Sequence, residues 1–294
     1  MKMKIGIIGY GELGSRLGKR LMQNGYTIYA FDVCESKMQK MPHDKVNPLS
    51  TPANVAEKCE VIITCVNDDL AVEQCILGED GVIHGVKKDT TVIEMTTSTP
   101  EMTKNMGREL HKKGVNIIDA PVSRGIPAAE QGTLSILVGG EKETLKNSRS
   151  ILETLGTDII HCGELGTGHA VKAINMMMMS CNLLTATETL SLGLKEGLEL
   201  EKMLDVINVS SGESYMTSHH FPKYVLTETY QSKFSFGLMN KDLKIAIKMA
   251  EELEVVSLMG KRSSHLYDLL SSRLPAEEDN MHTVKEIQAW MGGV

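Results

Sequence analysis

The sequence predicts two domains in series: an α/β domain on a parallel sheet over residues 1–163, then an all-helical domain over 164–294, joined by a long helix. Three observations predict this. In the first half, short runs rich in Val and Ile alternate with amphipathic helical patterns, the signature of parallel strands covered on both faces. The strand-like runs stop after GELGTGH, which ends at residue 169. From there the chain reads as helix, starting with VKAINMMMMSCNLLTATETLSLGLKEG, which lacks proline and suits one helix of about 25 residues.

Strands are expected at KIGIIG, YTIYAF, EVIITCV, TVIEM, VNIIDA, LSILVGG and TDIIHC. Between the first two, Leu13, Leu17 and Leu21 recur every fourth residue and mark a helix with one apolar stripe against the sheet. Further helices are expected at EKMLDVINVS, MNKDLKIAIKMAEEL, GKRSSHLYDLLSSR and TVKEIQAWM. The run Met176 to Met179 reads as core filling, because a flexible thioether suits irregular helix packing. A substrate contact is the alternative.

At 294 residues the chain exceeds the usual size of one domain, and 41% hydrophobic with 23% charged residues is a globular composition. A net charge of −7 with no basic run excludes nucleic acid and anionic membrane as partners. No run of about 18 apolar residues occurs, and the start turns glycine-rich too early for a signal peptide, so a cytoplasmic location is expected. The six cysteines form no CxxC pair and read as free thiols of a reducing compartment. The nine histidines show no metal-ligand spacing, and surface or loop positions are expected for them. There is no GxSxG, P-loop or paired-carboxylate motif, so hydrolase and kinase chemistry has no footing.

Directly after the first strand comes Gly9-Tyr10-Gly11-Glu12-Leu13-Gly14, a GxGxxG that opens a helix. The first glycine allows the tight turn, the second lets backbone approach a pyrophosphate, and the third lets helix and strand lie close. The helix N-terminus then attracts the phosphate charge. The second strand ends at Asp32, 18 residues after Gly14. An acid there accepts hydrogen bonds from ribose hydroxyls and repels a 2′-phosphate, which favours NAD over NADP as cofactor. The alternative for Asp32 is a helix N-cap.

Lys172 opens the long helix just after Gly166 and Gly168, and a desolvated lysine there would have the lowered pKa that proton transfer to an alcohol oxygen needs. An exposed lysine on an amphipathic helix is the alternative. Asn175 lies three residues on and shares its helix face. In DAPVSRGIPAAEQGTL, the Ser123 hydroxyl and the backbone amides of Arg124 and Gly125 can converge on a carboxylate.

Four motifs in this order, GYGELG, DAPVSRGIPAAEQGTL, GTGHAVKAIN and FGLMNKDLKIA, resemble the β-hydroxyacid dehydrogenase family of the 3-hydroxyisobutyrate dehydrogenase type over essentially the whole chain. The resemblance implies an N-terminal Rossmann domain and a helical C-terminal domain. It implies hydride transfer between a nicotinamide cofactor and a small 3-hydroxy acid or its semialdehyde. It makes Lys172 the catalytic acid/base, supported by Asn175, although many relatives carry asparagine where this chain has Met176. It places Val66 and Asn67 of TCVNDDLAV in the loop under the cofactor, Thr96 and Thr97 of EMTTSTP near the nicotinamide ribose, and Lys241 near cofactor and substrate. A solvated Lys241–Asp242 pair is the alternative for the last. A homo-oligomer, dimer or tetramer, is implied as well.

One residue departs from the family pattern. Ser-Gly-Gly usually stands where this chain has Ser123-Arg124-Gly125. A backbone needing φ > 0 then costs more. Either Arg124 points to solvent, toward Glu130, or its guanidinium reads a second anionic group on the substrate. The rival function is a non-catalytic dinucleotide-binding scaffold of the same fold. A 6-phosphogluconate-type enzyme needs a larger helical region than this chain has, and imine reductases generally lack the lysine.

Overall fold

A computed structural model describes residues 3–42 and 45–293. His43 lies outside the described residues. The chain divides into two compact units, one ending at Lys172 and the other beginning at Ala173. That boundary falls inside the helix Thr167–Lys195, which runs for 29 residues.

Among the described residues the first unit is built on nine strands: β1 (Lys4–Ile8), β2 (Thr27–Phe31), β3 (Val46–Pro48), β4 (Val61–Thr64), β5 (Thr91–Glu94), β6 (Asn116–Asp119), β7 (Val122–Ser123), β8 (Leu134–Gly140) and β9 (Gly156–Gly163). Their order is β3-β2-β1-β4-β5-β6-β8-β7, with β9 beside β8. All pairs from β3 through β6 are parallel, as is β8 with β9. The expectation of a parallel sheet holds for these pairs. β8 departs from it by running antiparallel to β6 and β7, because the short stretch after β6 folds back on itself. β3 and β7, of three and two residues, are strands that periodicity could not reveal.

Side-chain alternation divides the core between the two faces of the sheet. From β1, Ile5 and Ile7 enter one apolar cluster with Leu17 and Leu21 of the helix Glu12–Gln23. Ile8 enters another with Ile62, Val92 and the helix residues Met106 and Leu110. Burial of each such side chain stabilises by roughly 1.5–3 kcal/mol, so the central strands hold the sheet rigid. The order in which strands join the sheet reverses between the parallel neighbours β1 and β4, and in open α/β sheets ligands bind at the carboxyl ends of the strands beside such a point.

The second unit holds the helices Leu200–Ile207, Phe236–Glu252, Leu258–Leu270 and His282–Trp290, all four expected. It also holds a π-helix, Met216–Val225, whose internal Pro222 hid it from sequence reading. Met176 is buried with Phe236, Met239 and Tyr267, as core filling requires, but Met178 is exposed. Among the described residues no helix is long and apolar enough to cross a membrane.

Candidate active site

The glycine turn after β1 separates two kinds of glycine. An added Cβ at Gly9, where φ is +91°, would collide with the Cys65 carbonyl, and one at Gly14 would collide with the Gly9 carbonyl. Those two glycines are needed by the fold. At Gly11 the nearest atom to such a Cβ is Lys37 Nζ at 3.6 Å, so the missing side chain leaves open space. Gly11 caps the helix Glu12–Gln23 without a side-chain hydrogen bond. The amides of Glu12, Leu13 and Gly14 therefore belong to a first turn with no intrahelical acceptors, where the dipole favours an anion. The Glu12 side chain turns away to Arg16 at 2.9 Å.

Tyr10 differs from its neighbours in the motif. Its amide donates to Asp32 Oδ2 at 2.8 Å and its ring is buried in the core. The Tyr10 amide is thus committed to the Asp32 carboxylate within the protein. Asp32 also accepts from the Cys34 amide at 2.9 Å, and Lys37 Nζ lies 3.5 Å from it. The following helix is capped by Cys34, so Asp32 is not its N-cap residue. An open ledge over helix amides with a carboxylate at the end of the next strand fits a dinucleotide.

The loops after β4 and β5 are laced together. The Val66 amide donates to Thr96 Oγ1 at 3.0 Å, and the Thr96 amide donates to Glu94 Oε1 at 2.8 Å. Asp69 accepts from the Ser98 and Thr99 hydroxyls and the Thr99 amide. Asn67 is exposed and Thr97 half-buried at the same strand ends.

Ser123 ends β7 and is half-buried. Arg124 and Gly125 follow with φ of +80° and +70°, so the departure from glycine is made in the backbone region that disfavours it. The guanidinium does not reach Glu130. Its Nη1 lies 2.6 Å from Asp158 Oδ2, with the Thr133 carbonyl at 3.2 Å, while Glu130 pairs with Arg16 at 3.4 Å. Asp158 on β9 is nearer in space than the residue that sequence proximity suggested.

Lys172 is buried, with 6% of its surface exposed, at the end of the first unit. In the second unit, Asn175 is exposed with Nδ2 3.9 Å from Met176 Sδ, and Lys241 sits in the second turn of Phe236–Glu252 with Nζ 3.5 Å from Asp242 Oδ1.

The residue that sequence reasoning missed is His169. Expected at the surface, it is fully buried, one helical turn before Lys172. Its Nε2 lies 2.6 Å from the Thr96 carbonyl and 3.1 Å from Glu94 Oε2, and its Nδ1 lies 2.7 Å from Thr103 Oγ1 and 3.7 Å from Asp119 Oδ2. Burial alone would pull the imidazole pKa down. The hydrogen bond and charge of Glu94, with Asp119 and the Thr96 carbonyl, outweigh that and raise it. Acidic residues ending two apolar strands were the available signal.

Gly9 to Gly14, Asp32, Val66, Thr96, Ser123 and Lys172 all follow the carboxyl ends of strands in one unit. Fold and glycine turn define a dinucleotide-binding oxidoreductase of the Rossmann class. Residues 4–163 match the family model described as the NAD binding domain of 6-phosphogluconate dehydrogenase, and residues 166–287 match the NAD-binding domain of NADP-dependent 3-hydroxyisobutyrate dehydrogenase. The 2-(hydroxymethyl)glutarate dehydrogenase of Eubacterium barkeri is 32% identical over 90% of this chain and 88% of its own. Mouse mitochondrial 3-hydroxyisobutyrate dehydrogenase is 30% identical over 95% of this chain and 85% of its own. The fold of a Mycobacterium tuberculosis 3-hydroxyisobutyrate dehydrogenase solved with L-serine superposes with a TM-score of 0.91, at 24% identity, covering 98% of this chain and all of that one. The chain belongs to the β-hydroxyacid dehydrogenase family, of the 3-hydroxyisobutyrate dehydrogenase type, and is a 3-hydroxyacid dehydrogenase that binds a nicotinamide dinucleotide.

Proposed function

We propose that the protein interconverts a small 3-hydroxy acid and its semialdehyde, with NAD favoured over NADP. The observation that carries this reading is Lys172, a buried lysine on the turn of helix that follows the strand ends. The bound nicotinamide supplies or accepts the hydride. Lys172 takes the hydroxyl proton in oxidation and returns it in reduction, and Asn175 helps hold it. The Ser123 hydroxyl and the amides at Arg124 and Gly125 orient the substrate carboxylate. Gly11, Glu12, Leu13 and Gly14 cradle the pyrophosphate, Asp32 the adenosine ribose, and Val66, Asn67, Thr96 and Thr97 the rest of the dinucleotide. Lys241 is assigned to substrate and cofactor from the helical unit.

Asp32 supports NAD, since a carboxylate already accepting two amides keeps lone pairs for ribose hydroxyls and repels a phosphate. A homo-oligomer is supported by the exposed side chains of Leu253, Val256, Leu258 and Met259, which crowd one stretch of the helical unit. None of the six cysteines is in a disulfide, which suits the cytoplasm.

The test is NADH absorbance across short 3-hydroxy acids and semialdehydes, for the parent and Lys172→Ala. The expected result is turnover by the parent and a loss of roughly 100- to 10,000-fold in the variant with NADH binding retained. Binding without turnover on the whole panel would favour the scaffold reading.

A second reading, a substrate with two anionic groups, is favoured by the Eubacterium barkeri relative, whose name gives a glutarate. Arg124 is its carrier and would exchange Asp158 for the substrate. Arg124→Ala should then lower kcat/KM on dianions by about fivefold or more relative to monoanions.

A further inference from the structure

The groups around His169 favour a charged ring. Nε2 faces two acceptors, the Thr96 carbonyl and Glu94 Oε2, and so carries a hydrogen. Nδ1 faces Thr103 Oγ1, and that hydroxyl is also 3.1 Å from the Thr99 carbonyl, which only accepts. The Thr103 hydroxyl can give its hydrogen to Thr99 or to Nδ1, and the carboxylates of Glu94 and Asp119 on the two sides of the ring favour the doubly protonated form, in which Thr103 accepts from Nδ1. A neutral ring would pull the hydroxyl off Thr99 and leave two buried carboxylates facing an uncharged group. Among the described residues Glu94 Oε2 has no hydrogen-bond partner, and the imidazole Nε2 3.1 Å away is the cation that faces it.

The same cluster fixes backbone. Asp119 accepts from the amides of Gly166 at 2.7 Å and His169 at 2.8 Å, at the start of the Thr167–Lys195 helix. Gly139 and Gly168 have no room for a Cβ beside that carboxylate. On the other side, Thr96, whose carbonyl meets His169, holds the Val66 amide. His169 thus joins the helix of Lys172 to the loops after β4 and β5, one turn and about 4.5 Å of helix rise before the lysine.

We propose that His169 is a positioning residue, an imidazolium clamped between Glu94 and Asp119 that fixes the first turn of the helix and with it the placement of Lys172. The inference rests on the reading of Lys172 as proton carrier. The other titratable groups near the clamp are Cys75 beside Glu94, Cys162 beside Asp119, Lys104 beside Gly166, and Lys172 itself. Among the described residues no group of three or more His, Cys, Asp or Glu side chains is placed to hold a metal ion.

The test compares His169→Gln, whose amide replaces the hydrogen bonds without the charge, with His169→Ala. In the whole parent protein, nitrogen NMR of the labelled imidazole should show both ring nitrogens protonated at pH 7. In His169→Gln, kcat should fall about 10- to 100-fold with KM changed far less, and the limb of the pH–rate profile that Lys172 sets should move. NADH binding, read by fluorescence, should persist. A neutral imidazole at pH 7, or parental kcat and pH profile in His169→Gln, would overturn the proposal. Should His169→Ala fail to fold, the glutamine variant and the NMR still decide. Full turnover by Lys172→Ala would remove the lysine's role while the NMR separately judged the clamp.

Discussion

Arg124 pairs with Asp158 at 2.6 Å while its backbone stands at φ +80°. A left-handed non-glycine residue costs roughly 1–2 kcal/mol. Both partners are about half exposed, and such an ion pair returns roughly 0.2–1 kcal/mol. Arg124→Gly should therefore leave stability unchanged or raise it by up to about 1 kcal/mol. Urea unfolding reads this directly, and a clearly lower midpoint would mean that the ion pair and the Thr133 contact outweigh the strain.

The two kinds of glycine in the turn after β1 should respond oppositely to alanine. Gly14→Ala drives a methyl into the Gly9 carbonyl and should destabilise by about 3 kcal/mol or more. Gly11→Ala meets open space and should fold with the parent's melting temperature. Its NADH affinity, measured by titration calorimetry, should fall at least about tenfold, because the methyl occupies the ledge over the helix amides.

Asp32→Asn keeps an acceptor for the Tyr10 amide and removes the charge that balances Lys37. The ratio of kcat/KM for NAD over NADP should drop by about tenfold or more. An unchanged ratio would place the choice of cofactor elsewhere.

His220 lies on the π-helix with Tyr215, His219 and Tyr224 around its ring. Burial, with His219 and Lys223 nearby, pushes its pKa down to about 4. The folded protein holds the ring neutral, so its contribution is intact above the unfolded value of about 6.5 and is lost as pH falls toward 4. Thermal melts between pH 7 and pH 4 should show a loss of up to about 3 kcal/mol that His220→Phe reduces.

The sheet was legible because strands buried on both faces become continuous Val and Ile runs, and the glycine turn because its spacing is dictated by backbone contacts. β3 and β7 were not, being shorter than one alternation that periodicity can register. Arg124 shows how contact escapes sequence: Glu130 is six residues away and Asp158 thirty-four, yet strand pairing of β8 with β9 brings the distant one close. His169 escaped for the same reason. Its partners Glu94 and Asp119 stand 75 and 50 residues before it and meet only at the ends of β5 and β6. Local pattern therefore located the strand-end residues but not the charges that lock them.

The enclosure of His169 ties the assembly of the first unit to a proton. Its raised pKa means that the stability it adds is fully present below the unfolded value of about 6.5 and is lost as pH rises through the folded value. Between those two values the unfolded ring is neutral and the native ring charged. Refolding begun just above that unfolded value in weakly buffered solution should therefore draw hydrogen ions from the medium and turn an indicator dye alkaline as the Rossmann unit closes.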